Sequence, residues 1–247
     1  MCVLAIQYKA TRDAPILVAH NREEIYDRPT QAPRIQSGRP RVVCGIDRKA
    51  GGTWLGVNQY GLIVAVVNRP KTTVVTEPRS RGVLCRELLG LETAKAAAEH
   101  AARELCSGCY AGANYICADA RSGAVVYGGN HVHVAELTPG LHLMTSGDLD
   151  DPSDQRQEFV RRLLTLQRLD SAVAFLAVAS RTFSRKPDRR GRGVIISGNE
   201  FGTVSSTLLS LPKKPQNSVY QYAPGPPSEH PFDDLSALLR QVLSTDR

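Results

Sequence analysis

No stretch of this chain approaches the ~20 consecutive apolar residues of a membrane span, and its start lacks a basic region followed by a long apolar core. A cytoplasmic protein with no integral membrane segment is the expectation. Cysteine is scarce: six residues, at positions 2, 44, 85, 106, 109 and 117 of 247, are too few and too scattered for a disulfide framework, and are expected to be reduced. Cys106-Ser107-Gly108-Cys109 has no second pair at zinc-ligand spacing and no βαβ context, so it reads as a helix end. His131 and His133 share one face of a strand, with His142 beyond the Pro139-Gly140 turn, but no carboxylate completes a ligand set, so neither metal nor cofactor is expected. The Gly51–Gly56 block lacks the lysine and the strand-to-helix context of a phosphate loop.

The net charge of +7 comes from 31 basic against 24 acidic residues, and most of the surplus lies in Arg181–Arg192. No aromatic residue interleaves with Arg185, Lys186, Arg189, Arg190 and Arg192, which argues against nucleic acid and for a solvated surface loop. With 42% hydrophobic residues the chain can bury a substantial core, and one domain over 1–247 is expected. Strand-like runs at Val3–Tyr8, Ile16–His20, Thr53–Asn58, Leu62–Asn68, Tyr115–Asp119, Ala124–Gly128, Val132–Leu137, Leu141–Thr145, Val194–Ser197 and Ser205–Leu211 are joined mostly by turns, so the sheets should be antiparallel. Helical patterns cover Ser80–Leu91, Thr93–Leu105, Ser153–Arg168, Ser171–Ser180 and Phe232–Leu243. In the third, Phe159, Leu163, Leu164 and Leu166 form the apolar face, with Ser153 or Asp154 as N-cap. Grouped strands and grouped helices give an α+β class. The segment 213–231, with five prolines, reads as a surface wrap before the last helix.

Cys2 is the most informative residue. Removal of Met1 would leave it with a thiol and a free α-amine on one residue. Ordinary pKa values of ~8.5 and ~7.7–8.0 let the amine take the thiol proton near neutral pH, leaving the reactive thiolate. The competing reading is a buried cysteine at the start of a strand. Lys9–Pro15 reads as a hairpin turn, which brings the end of the second strand, with Asn21, Arg22, Glu23 and Glu24, back to Cys2. Such a polar cluster can hold an ammonium, orient a thiol and accept a substrate.

Cys2, the Asn21–Glu24 run followed by Tyr26-Asp27-Arg28-Pro29, and Gly51-Gly52-Thr53-Trp54-Leu55-Gly56 together resemble the signature of the NRDE, or transport and Golgi organisation 2, family. Later blocks follow in the same order: Asn58–Leu62, Val66–Pro70, Ser80–Leu84, Tyr110–Tyr115, Ser146–Pro152 and Phe201–Thr207. The resemblance implies the four-layer αββα sandwich of N-terminal-nucleophile hydrolases, two antiparallel sheets with helices outside. It implies that Cys2 attacks an amide or related acyl bond of a small molecule. Asn68, in a block similar to that of the bile-salt and penicillin V acylases, becomes the oxyanion donor, or else a strand-end cap. Glu23 anchors the α-ammonium or positions the thiol. Asn21, Arg22 and Arg69 become substrate-binding groups, with an ion pair to Glu24 as the alternative for Arg22. Where the family has aspartate, often Asn, and often Arg, this chain has Glu23, Gly147 and Val204. A second function class stays open beside the hydrolase. It is a non-catalytic pocket protein holding haem or a lipid ligand, with Arg22 and Arg69 at its mouth.

Overall fold

The computed structural model describes residues 2–244. Among these residues thirteen strands and five α-helices alternate in groups, and they gather into two compact units. One comprises the chain up to Asp27 with Pro139–Ala237, and the other comprises Arg28–Thr138 with the residues from Leu238 on.

The first unit carries a six-stranded antiparallel sheet. It is built from β1 (Val3–Tyr8), β2 (Ile16–Ile25), β10 (Gly140–Met144), β11 (Phe201–Leu211), β12 (Val219–Ala223) and the short β13 (Asp233–Asp234), in the order β10-β1-β2-β11-β12-β13. The hairpin expected from Lys9–Pro15 closes with Lys9 N donating to Pro15 O at 2.6 Å. It sets Val3 opposite Asn21 and Leu4 opposite His20. Helices α3 (Gln155–Leu164) and α4 (Ala172–Phe183) pack on one face of this sheet, α4 against β2 and β11 and α3 against β10. Alternate residues of β1 and β2, namely Val3, Ala5, Leu17 and Ala19, meet Val160, Leu164, Phe175, Ala179 and Phe183 there. Asp154 is the N-cap of α3, accepting from the amides of Arg156 and Gln157. The apolar face of α3 differs from the expected one: Val160 and Leu164 are buried, whereas Leu166 lies beyond the helix end and is 70% exposed.

The second unit carries a seven-stranded antiparallel sheet. Its strands are β3 (Thr30–Gln36), β4 (Val42–Asp47), β5 (Leu55–Asn58), β6 (Ile63–Asn68), β7 (Ala113–Ala118), β8 (Gly123–Gly128) and β9 (Val132–Glu136), paired in sequence order. Helices α1 (Arg81–Leu88) and α2 (Ala94–Cys106) lie on it, α1 against β6 and α2 against β7, β8 and β9. The Gly51–Gly56 block is explained by close main-chain approach. Thr53 N donates to Gly82 O at 2.8 Å, and a Cβ on Gly52 would stand 2.1 Å from the carbonyl carbon of Gly82.

The α+β class with two antiparallel sheets is therefore the observed one. Three local expectations are corrected. β3 and β4 carry no strand assignment in the sequence reading. Val194–Ser197 is not a strand, since only Ser197 bridges, to Gly202. The middle of 213–231 is not surface wrap: β12 pairs with β11 and buries Tyr220, Tyr222 and Ala223, and the exposed stretches are residues 213–217 before it and 229–231 after it. The helix α5 (Ser236–Leu243) closes the described chain. No helix among the described residues is long and apolar enough to cross a membrane.

Candidate active site

The Cys2 thiol lies against the main chain of β2. It accepts from the amide of Glu23 at 3.4 Å and is 3.7 Å from Glu23 O, to which it donates. Pairing of β1 with β2 produces this contact, because the register that sets Val3 opposite Asn21 carries Cys2 to the next positions of β2. The thiol is buried, and burial, followed by the negative charge of Glu23, pushes its pKa up to about 11. Arg22 and the hydrogen bond from the Glu23 amide act in the opposite direction.

The Glu23 side chain is wholly buried. Its Oε1 accepts from Arg156 Nη2 at 2.9 Å and from Thr203 Oγ1 at 3.2 Å, while Oε2 has no hydrogen-bond partner among the described residues. Burial raises its pKa to about 7, and the Arg156 guanidinium and the Thr203 hydroxyl hold it from going higher. Thr203 reaches Glu23 through a β-bulge. β11 sets Thr203 opposite Glu23 and Ser205 opposite Arg22, leaving Val204 unpaired between them.

Side chains two apart on a strand share a face. Asn21 accordingly turns to the helix side with Glu23, and its Nδ2 donates to Phe183 O at 3.0 Å. Arg22 and His20 share the opposite face. Arg22 is buried and ion-paired with Glu24 at 3.5 Å, the structural role that sequence left open for it. His20 is buried with neither ring nitrogen hydrogen-bonded among the described residues, and burial, then Arg22 and Arg156, lower its pKa to about 3. It is neutral.

Cys2, just before β1, thus meets the main chain of Glu23 on β2, with Asn21 on the Glu23 face of that strand and Arg22 on the other. Asn68 and Arg69 belong to the second unit. Asn68 ends β6 with an exposed side chain, opposite Ala113 on β7. The Arg69 guanidinium packs over the Tyr127 ring at 5.4 Å and donates to Asn114 Oδ1 at 3.4 Å. Arg156 and Thr203 are the site residues that sequence reasoning missed. Arg156 stands 133 positions from Glu23, and no local pattern marks it. Thr203 lay within a block quoted for the resemblance, yet only the bulge reveals its contact. Met1, whose removal is expected, lies outside the described residues.

Chemically, the arrangement sets a thiol beside a carboxylate that titrates near neutrality and has one oxygen to spare. A family model described as Transport and Golgi organisation 2 matches residues 1–221. Over 230 residues the chain is 29% identical to the Bos taurus Transport and Golgi organization protein 2 homolog, covering 78% of this chain and 81% of that protein. Among solved structures, the Caenorhabditis elegans N-acylethanolamine-hydrolyzing acid amidase ortholog superposes with a TM-score of 0.57 at 15% identity, over 84% of this chain and 92% of that one. Penicillin V acylase from Agrobacterium tumefaciens gives a TM-score of 0.53 at 12% identity, over 90% and 83%. At such identities these likenesses establish the fold, that of N-terminal-nucleophile hydrolases.

Proposed function

Since this chain belongs to the Transport and Golgi organisation 2 family, on a hydrolase-like scaffold, we propose that it is an N-terminal-nucleophile hydrolase of amide or related acyl bonds. The observation that carries this reading is the pairing of Cys2 with Glu23. The thiol touches the Glu23 main chain, and the buried carboxylate keeps Oε2 without a partner among the described residues. A buried acceptor without a donor is costly, and the α-ammonium exposed by removal of Met1 is a donor of the right charge.

The α-amine, in its neutral form, takes the thiol proton as sulfur attacks the carbonyl carbon. The C–N bond then breaks, the ammonium returns the proton to the leaving amine, and water releases the acid from the thioester. Transfer to an adjacent amine offsets the raised thiol pKa, because the thiolate need not exist free. The oxyanion role that resemblance gives Asn68 is tested separately: Asn68→Ala is expected to lower kcat by roughly 10²–10³, the usual effect of losing one such donor.

The test is intact-mass measurement with and without a thiol-reactive acyl probe, on wild-type protein and Cys2→Ala. Loss of Met1 and one adduct at Cys2, absent from Cys2→Ala, support the hydrolase. Retained Met1, or labelling confined to the exposed Cys106 and Cys109, overturns it. One observation favours a second reading, a non-catalytic holder of haem or a lipid ligand: a thiol pushed up to about 11 is protonated at neutral pH.

A further inference from the structure

Arg156 is the second residue of α3 and has no part in the reaction as written above. Its side chain nevertheless ties the site together. Nη2 donates to Glu23 Oε1 at 2.9 Å and to the Val194 carbonyl at 2.8 Å, so one nitrogen joins β2 to the segment that follows the basic loop. Its amide is fixed in turn by the Asp154 cap.

We infer that Arg156 is a positioning residue of the Cys2–Glu23 site: it keeps Glu23 an oriented carboxylate whose second oxygen is left to receive the α-ammonium of Cys2. The inference rests on the reading of Cys2 as an N-terminal nucleophile. Three observations support it. The contact is short and occupies one Glu23 oxygen together with Thr203, which leaves Oε2 for an outside donor. The nitrogen that meets Glu23, Nη2, also donates to Val194 O, so it cannot follow Glu23 into another rotamer without losing that second bond. Glu23 is wholly buried, where a carboxylate without a cation takes up a proton. A protonated Glu23 would donate from its free oxygen rather than accept, and the ammonium would lose its anchor.

Among the described residues, the groups facing Glu23 are the Cys2 thiol from just before β1, Thr203 from β11 and Arg156 from α3, with the α-amino group of Cys2 once Met1 is gone. Arg22, on the neighbouring position of β2, lies on the opposite face. Among the described residues, Arg156 is therefore the cation ion-paired with Glu23. Lysine in its place keeps the charge but on a shorter, freely rotating head group, so it restores the effect in part.

The experiment titrates the Glu23 carboxyl directly, by carbon-13 NMR of the full chain labelled at glutamate side chains, with Glu23→Gln assigning the signal. Wild type, Arg156→Gln and Arg156→Lys are compared, and the pH profile of Cys2 alkylation by iodoacetamide is followed in parallel. The Glu23 midpoint is expected near 7 in wild type. It should rise by about one pH unit in Arg156→Gln and about half a unit in Arg156→Lys, with the acid limb of Cys2 alkylation moving alongside. An unchanged midpoint in either folded variant, or equal shifts in both, overturns the inference. If Arg156→Gln does not fold, the lysine variant decides alone. The titration needs no turnover, so it stands or falls separately from the loss of hydrolysis in Cys2→Ala.

Discussion

Glu23 and His20 stand three residues apart on β2, both buried, and burial drives their titrations in opposite directions. The Glu23 pKa is raised from 4.5 to about 7, so the folded protein binds the extra proton and this contribution to stability is lost as pH rises through about 7. The His20 pKa is lowered from 6.5 to about 3, so its contribution is present above 6.5 and lost as pH falls toward 3. Between pH 4.5 and 6.5 the two slopes oppose each other. Urea unfolding across this window is therefore expected to show stability rising more steeply with pH in Glu23→Gln than in wild type, and falling relative to wild type in His20→Leu. Groups common to all three proteins cancel in the comparison. Parallel curves for the three would remove Glu23 and His20 as opposed titrating groups.

At the scale of elements, the sequence was legible where pattern is local and silent where partners are distant. β1, β6, β8, α2 and α4 fall within two or three residues of their sequence-read bounds, because alternation, turns and Ser or Thr caps mark them. β2 runs on through Asn21–Ile25, five residues past its expected end, because β11 pairs with it from Leu211 back to Phe201. β3 escaped notice because Pro33 interrupts it, which an edge strand tolerates at its irregular register between Gln31 and Arg34. Val194–Ser197 has strand-like residues, but the amides of Val194 and Ile195 go to Arg185 O and the Val194 carbonyl goes to Arg156. The glycines of the second unit show what motif reading could quote but not explain. Gly52→Ala would press a methyl group on the Gly82 main chain and is expected to cost at least about 1–3 kcal/mol, read as a lowered urea midpoint. Gly51→Ala tests backbone conformation instead. Gly51 has open space around its missing Cβ but a φ of +74°, so alanine there should cost less, about 1–2 kcal/mol. Equal losses at both positions would contradict close approach as the cause at Gly52.

For the whole molecule, the question is whether this scaffold turns over an acyl compound or holds one. The basic surplus does not decide it, since Asp188 gathers its own loop by accepting from Arg192 and from the Arg190 amide. Arg22 weighs against the simplest form of the holding reading, because it is buried and paired with Glu24 rather than standing at a mouth. A ligand carboxylate would have to displace Glu24 to use it. If the protein holds haem or a long-chain acyl ligand through Arg22, titration should give saturable binding that survives Cys2→Ala, weakens in Arg22→Ala and strengthens in Glu24→Gln, where the competitor is neutral. A hydrolase gives another pattern: Cys2→Ala abolishes turnover with the melting temperature nearly unchanged, and Glu24→Gln has no specific effect on haem. Binding that is linear, or indifferent to both Arg22 and Glu24, removes the holding reading and leaves Cys2 chemistry as the account of the site.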